Sequence, residues 1–81
     1  MQRTFPMTQM KKNTTAWVER LNCSGSMRRR LQDIGLIEGT RVECLFRRVK
    51  GGPTAYLIRG AVIALRPSDS DRILVSGRRS I

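Results

Sequence analysis

Arginine supplies most of the chemistry open to this sequence. Thirteen of its sixteen cations are Arg, and they gather at two places. One is Arg28-Arg29-Arg30; the other is Arg47 and Arg48, with Lys50, ahead of Gly51-Gly52-Pro53. Guanidinium groups pair bidentately with carboxylates and phosphates, so each cluster is a candidate docking face for an anionic partner. The plainer alternative for the first is a solvated helix face with a local pair to Asp33 one turn on. Arg41, Arg59 and Arg66 read as scattered surface cations.

Other chemistries are poorly supplied. The chain has no His, which removes the commonest general base and the commonest neutral metal ligand. Its two cysteines, Cys23 and Cys44, make neither a disulfide scaffold nor a four-ligand zinc site. Cys44 alternates with Val42 and Phe46 and so reads as a core thiol. Cys23 falls in a strand-to-helix loop. Asp69-Ser70-Asp71 offers two carboxylates flanked by Arg66 and Arg72, whereas a hard cation wants about six or more oxygens. Turn formation and helix capping account for both aspartates. No hydroxyl stands near a base, and no Gly-rich loop precedes a helix as a phosphate cradle would. The expectation is a chain that is not an enzyme and carries no cofactor or metal site.

The elements that place these residues are short. Eighty-one residues at 40% hydrophobic make one small core. A chain of that size buries only about 60–65% of its unfolded surface, which leaves no second domain. Residues 1–13 show no sustained period and read as a flexible basic tail; residues 77–81 read as another. Residues 14–76 form the domain. Thr15, Trp17 and Val18 favour a strand over 15–22. Ser24-Gly25-Ser26 offers hydroxyls to cap a helix at about residues 25–34, and Met27, Leu31 and Ile34 form its apolar stripe. Gly35 stands where a left-handed residue closes a helix, with Leu36 placed to pack on Leu31.

Beyond Gly39 the period changes to two, with Val42, Cys44 and Phe46 on one face. Gly51-Gly52-Pro53 marks a turn before a strand over 54–59. Residues 61–66 are apolar throughout and read as covered on both sides. A turn or single helical turn over 67–71 precedes a last strand at Ile73-Leu74-Val75. Five strands and one helix suggest a small barrel, which removes edges by closing on itself. The longest apolar runs, such as Ala61–Leu65, are about a quarter of a membrane span. The amino-terminal residues lack the apolar stretch of a signal peptide. A soluble protein of a reducing cytoplasm is expected.

The order of these pieces resembles a known family. Leu31-x-x-Ile34-Gly35-Leu36-Ile37-x-Gly39-Thr40 is followed by a strand, the Gly-Gly-Pro turn and Tyr56-Leu57-Ile58-x-Gly60. Ala64-Leu65-Arg66 and Ile73-x-Val75 complete the series. This resembles the FeoA family of bacterial ferrous iron transport over residues 15–76. Two departures stand out: Glu38 where Pro is usual before the Gly, and Ser70 where Ala is common. The resemblance implies a mainly β, SH3-like five-stranded barrel with one inserted helix. It also implies an accessory role beside FeoB, a membrane transporter with a cytoplasmic GTPase domain. Transition-metal binding comes with the family as an association for which this chain shows no site.

In such a barrel the loop 47–53 projects from the rim, where partner contacts concentrate. The partner-binding candidates are therefore Arg28, Arg29, Arg47, Arg48, Lys50, Gly51, Gly52 and Pro53. Leu36 is expected to seal the barrel end, whereas Ile37 adds an apolar contact if exposed. A nucleic-acid-binding small barrel is the competing reading, supported by a net charge of +10. Half of that charge lies in the two tails. Stacking needs aromatic platforms, and of Phe5, Trp17, Phe46 and Tyr56 only Tyr56 is expected to be free of core or tail. A third reading is a regulatory SH3-like module of the kind appended to iron-dependent repressors.

Overall fold

A computed structural model describes residues 3–47 and 50–77, with Arg47 described by its backbone alone. In chain order the elements are β1 (Thr4–Pro6), a 3-10 turn (Met7–Gln9), β2 (Thr15–Leu21), α1 (Gly25–Asp33) and β3 (Arg41–Arg47). They continue with β4 (Thr54–Ile58), β5 (Ala61–Leu65), α2 (Pro67–Ser70) and β6 (Ile73–Ser76). All strand pairs are antiparallel, in the order β1-β6-β2-β3-β4-β5. The last strand thus sits between the first two, knitting both ends of the chain into one sheet. The sheet wraps a single core to which Val18, Val42, Cys44, Tyr56, Ile58, Leu65, Ile73 and Val75 all contribute. Leu31 of α1 fills the same core.

A mainly β fold with one short helix is what the pattern predicts, but the described residues form six strands rather than five. The extra one is Thr4–Pro6, which pairs with β6 from Thr4↔Ser76 to Pro6↔Leu74. Residues expected in a loose tail are therefore part of the domain. Met7 and Met10 are buried behind β1, and the Tyr56 hydroxyl donates to the Met7 carbonyl at 3.3 Å. Burying a methionine side chain is worth about 1.5–3 kcal/mol. A three-residue strand is too short to show a period, which is why pattern alone misses it.

The helix ends as expected. Gly35 takes φ +96°, and the Leu36 N–H donates to the Leu31 carbonyl at 3.0 Å. Leu36 is fully buried, in the hydrophobic contact that accompanies such a closure. At the other end Ser24 occupies the cap position without a side-chain capping bond.

Two segments depart from the expected burial. The register of β3 against β4 shifts between Cys44↔Tyr56 and Phe46↔Ala55. A bulge of one residue moves every later side chain to the opposite face, so Phe46 leaves the core side and stands 43% exposed. β5, expected to be covered on both sides, is the end strand of the sheet; Val62 is 64% exposed. Trp17, also expected in the core, is only half-buried because Ala16 and Val18 take the inward positions of β2.

Candidate functional site

The expected contact residues fall at two ends of the sheet. Arg28, Arg29 and Ile37 lie at the end where β3 begins. Lys50, Gly51, Gly52 and Pro53 follow the end of β3. Seven strand residues at about 3.3 Å each set these ends roughly 20 Å apart, so the structure does not gather the candidates into one site. Arg48 lies outside the described residues.

At the first end the three consecutive arginines have different roles. Arg28 is partly covered: its Nη1 donates to the Leu21 carbonyl at 3.1 Å, and its Nη2 lies 3.7 Å from the Glu38 carboxylate. It ties α1 to the end of β2 and to the loop after the helix. Arg30 pairs with Asp69 at 3.1 Å and ties α1 to α2. Neither uses Asp33, the partner expected from helical spacing. Arg29 is exposed and makes no ion pair among the described residues.

The loop after α1 is tightly built. Thr40 Oγ1 donates to the Gly35 carbonyl at 3.0 Å and accepts the Ile37 N–H at 3.2 Å. The Thr40 N–H donates to the Ile37 carbonyl at 3.1 Å. These bonds hold residues 35–40 in a compact turn that turns Leu36 inward and Ile37 outward. Ile37 is 45% exposed, while Leu36 is fully buried. The question left open by pattern is thus answered: Ile37 is exposed, on a loop held by these hydrogen bonds.

Arg41 and Arg59 belong to this end as well. Both are exposed, and together with Gly39, Thr40, Leu57 and Gly60 they line a concavity of about 500 Å³. Among the described residues no carboxylate lines it. Arg59 and Gly60 form the β4–β5 turn with φ of +50° and +83°, as a two-residue type I′ hairpin requires. Read singly along the sequence, these arginines look scattered. The signal that joins them is register: Val42 pairs with Ile58, so the next residues outward are Arg41 and Arg59.

At the other end, Lys50, Gly51 and Pro53 are exposed and Gly52 is half-buried. Gly51 has φ +82°, the left-handed turn conformation that glycine adopts without strain.

The donors that an iron-linked resemblance brings to mind do not fit a resident transition metal. The Cys44 thiol is buried and faces the Met10 carbonyl at 3.8 Å. Asp69 is taken by Arg30, and Asp71 accepts a hydrogen bond from Thr8 Oγ1 at 3.1 Å. Among the described residues no group of three or more His, Cys, Asp or Glu is placed to hold a metal ion. Nor do the described aromatic residues form a stacking platform for bases. Tyr56, the aromatic expected to be free, is buried. Trp17 and Phe46 share the outer face, but Glu43 stands between their rows on β3.

Among the described residues no helix is long and apolar enough to cross a membrane. The family profile described as "FeoA domain" matches residues 5–77. No curated protein matches the sequence significantly. Among solved structures, an FeoA-like protein from Clostridium acetobutylicum superposes with a TM-score of 0.83 at 25% identity, covering 93% of this chain and 87% of that one. FeoA from Stenotrophomonas maltophilia, an SH3 domain protein complexed with zinc, superposes at 0.77 with 25% identity, covering 88% of each chain. A manganese-dependent transcriptional repressor, 22% identical, shares the fold at 0.83 over 94% of this chain and 42% of its own.

Proposed function

Because the chain belongs to the FeoA family, which is linked to ferrous iron transport, we propose that it is a non-enzymatic accessory protein of the cytoplasm. In this reading it docks on the cytoplasmic GTPase region of an FeoB-type membrane transporter and modulates iron uptake. The observation that carries it is Ile37, a large apolar side chain 45% exposed on a loop fixed by three hydrogen bonds. Loops held on a rigid scaffold are where binding residues concentrate.

The charge around Ile37 supports the same reading. Arg29 is unpaired among the described residues, and Arg41 and Arg59 line the neighbouring concavity. Buried apolar anchors supply most interface energy, while rim cations speed and orient encounter. Arg28 contributes as the strut that sets the angle of α1 against the loop. Lys50, Gly51, Gly52 and Pro53, with Arg47 at the end of β3, are a second contact about one strand length away. They engage only a partner large enough to span the domain. Binding of the purified chain to the soluble cytoplasmic domain of the cognate transporter, with and without Ile37→Asp, tests the proposal.

A further inference from the structure

The end strand of the sheet is open along its outer edge. β5 pairs with β4 alone, and no other described strand lies beyond it. In a two-residue hairpin the flanking pair, here Ile58↔Ala61, exchanges both ladder bonds. Alternation then turns the N–H and C=O groups of Val62 and Ala64 away from β4, toward the open edge. Natural edges are guarded by charges, Pro or bulges; β5 reads Ala-Val-Ile-Ala-Leu and has none.

The side chains beside this edge are apolar, and those of Val62, Ala64 and Phe46 are exposed. Val62 is 64% exposed and Ala64 is exposed. Leu57 lies across from Val62, and Ala55 from Ala64. Phe46, turned outward by the bulge, extends the row from Ala55. Exposed arginines stand at both ends of the strand, Arg59 before it and Arg66 after it. Along the edge runs a concavity of about 550 Å³, closed on its far side by Arg30, Leu31 and Ile34 of α1.

We propose that β5 takes an extended segment of a partner protein as an added strand, and that the segment has alternating apolar side chains with carboxylates at both ends. Main-chain bonds to Val62 and Ala64 give affinity, and the apolar row selects alternate side chains. Arg59 and Arg66 receive the flanking carboxylates. A second copy of the chain does not suit the edge. It would set one chain of net charge +10 against another, with arginine facing arginine at both ends of the paired strands. The edge shares Arg59 with the Ile37 face but uses none of Arg28, Arg29 or Ile37, and the open strand stands whether or not a transporter is the partner of that face.

The test uses the full chain and a synthetic capped peptide, Asp-Glu-Val-Thr-Val-Thr-Val-Glu-Asp, in a nuclear magnetic resonance titration. Expected are amide shift changes centred on Val62 and Ala64 and slowed hydrogen exchange at both. Replacing the acidic residues of the peptide by lysine is expected to weaken binding at least about tenfold. Ala64→Pro removes an open-edge donor without touching the β4 ladder and is expected to do the same, by about tenfold or more. Val62→Glu, which sets a carboxylate into the apolar row, is the second variant should Ala64→Pro fail to fold. Absent shifts, shifts centred elsewhere, equal binding of the lysine peptide, or unchanged affinity in a folded variant would each overturn the proposal.

Discussion

The side chain of Arg59 lies over Gly35, occupying the space where a Cβ at residue 35 would stand. The contact joins the β4–β5 turn to the helix closure and places Arg59 beside the loop that presents Ile37. It also separates two reasons for a glycine at 35, the left-handed backbone at φ +96° and the space taken by the arginine.

Gly35→Ala is therefore expected to cost about 1–2 kcal/mol, mostly from backbone strain. The arginine stem is flexible and swings aside at little cost. The double variant Gly35→Ala with Arg59→Ala should recover only a small part of the loss. Urea denaturation of the two single variants and the double reads this directly. Full recovery in the double variant would mean that crowding, rather than backbone conformation, fixes the glycine.

The amino-terminal segment is a structural part of the domain. Met7→Ala removes a fully buried side chain and is expected to cost about 2–4 kcal/mol. Deleting residues 1–10 removes β1 and both buried methionines as well, so the melting temperature should fall further still. A deletion variant that melts like the full chain would return the segment to the status of a tail.

Arg28 and Arg30 should differ in their contributions. In the Arg30–Asp69 pair the arginine is largely solvent-facing although the aspartate is mostly covered, and pairs with an exposed partner contribute about 0.2–1 kcal/mol. Arg28 combines a part-buried bond to the Leu21 carbonyl with its approach to Glu38. Its replacement by Ala is expected to cost about 1–2 kcal/mol, since a charge-assisted bond to a covered carbonyl is lost. Double-mutant cycles of Arg28 with Glu38 and of Arg30 with Asp69, followed by denaturation, resolve the two pairs.

The cysteines should react in a fixed order. Cys23 is half-buried and Cys44 buried, with its thiol facing the Met10 carbonyl. A thiol reagent read by mass spectrometry should label Cys23 in the folded chain and reach Cys44 only at the rate of unfolding. Labelling of both at one rate in native conditions would contradict the burial of Cys44.

What could be read from sequence was whatever depends on neighbours along the chain. Gly35 with Leu36 specifies the helix closure, Gly51 and Gly60 mark turns, and Val42-x-Cys44 shows its buried face by alternation. What escaped depends on partners distant in sequence. The bulge before Phe46 carries no local signature, so alternation assigns that ring to the wrong face. Apolar content cannot tell an edge strand from a central one, and β5 was misread for that reason. Arg28 and Arg30 find Glu38 and Asp69, whereas helical spacing points to Asp33. Of the candidate contacts, Ile37 was resolved only by the hydrogen bonds of Thr40.

The proposed docking face rests on Ile37 as its apolar anchor, and isothermal titration of the chain into the transporter's soluble cytoplasmic domain tests it most directly. Ile37→Asp should leave stability within about 0.5 kcal/mol, as expected for an exposed position. The same change should weaken binding at least about tenfold, the usual scale for loss of an interface anchor. Arg29→Glu should weaken binding less and flatten its salt dependence. Binding of equal affinity by wild type and a folded Ile37→Asp variant would contradict the account.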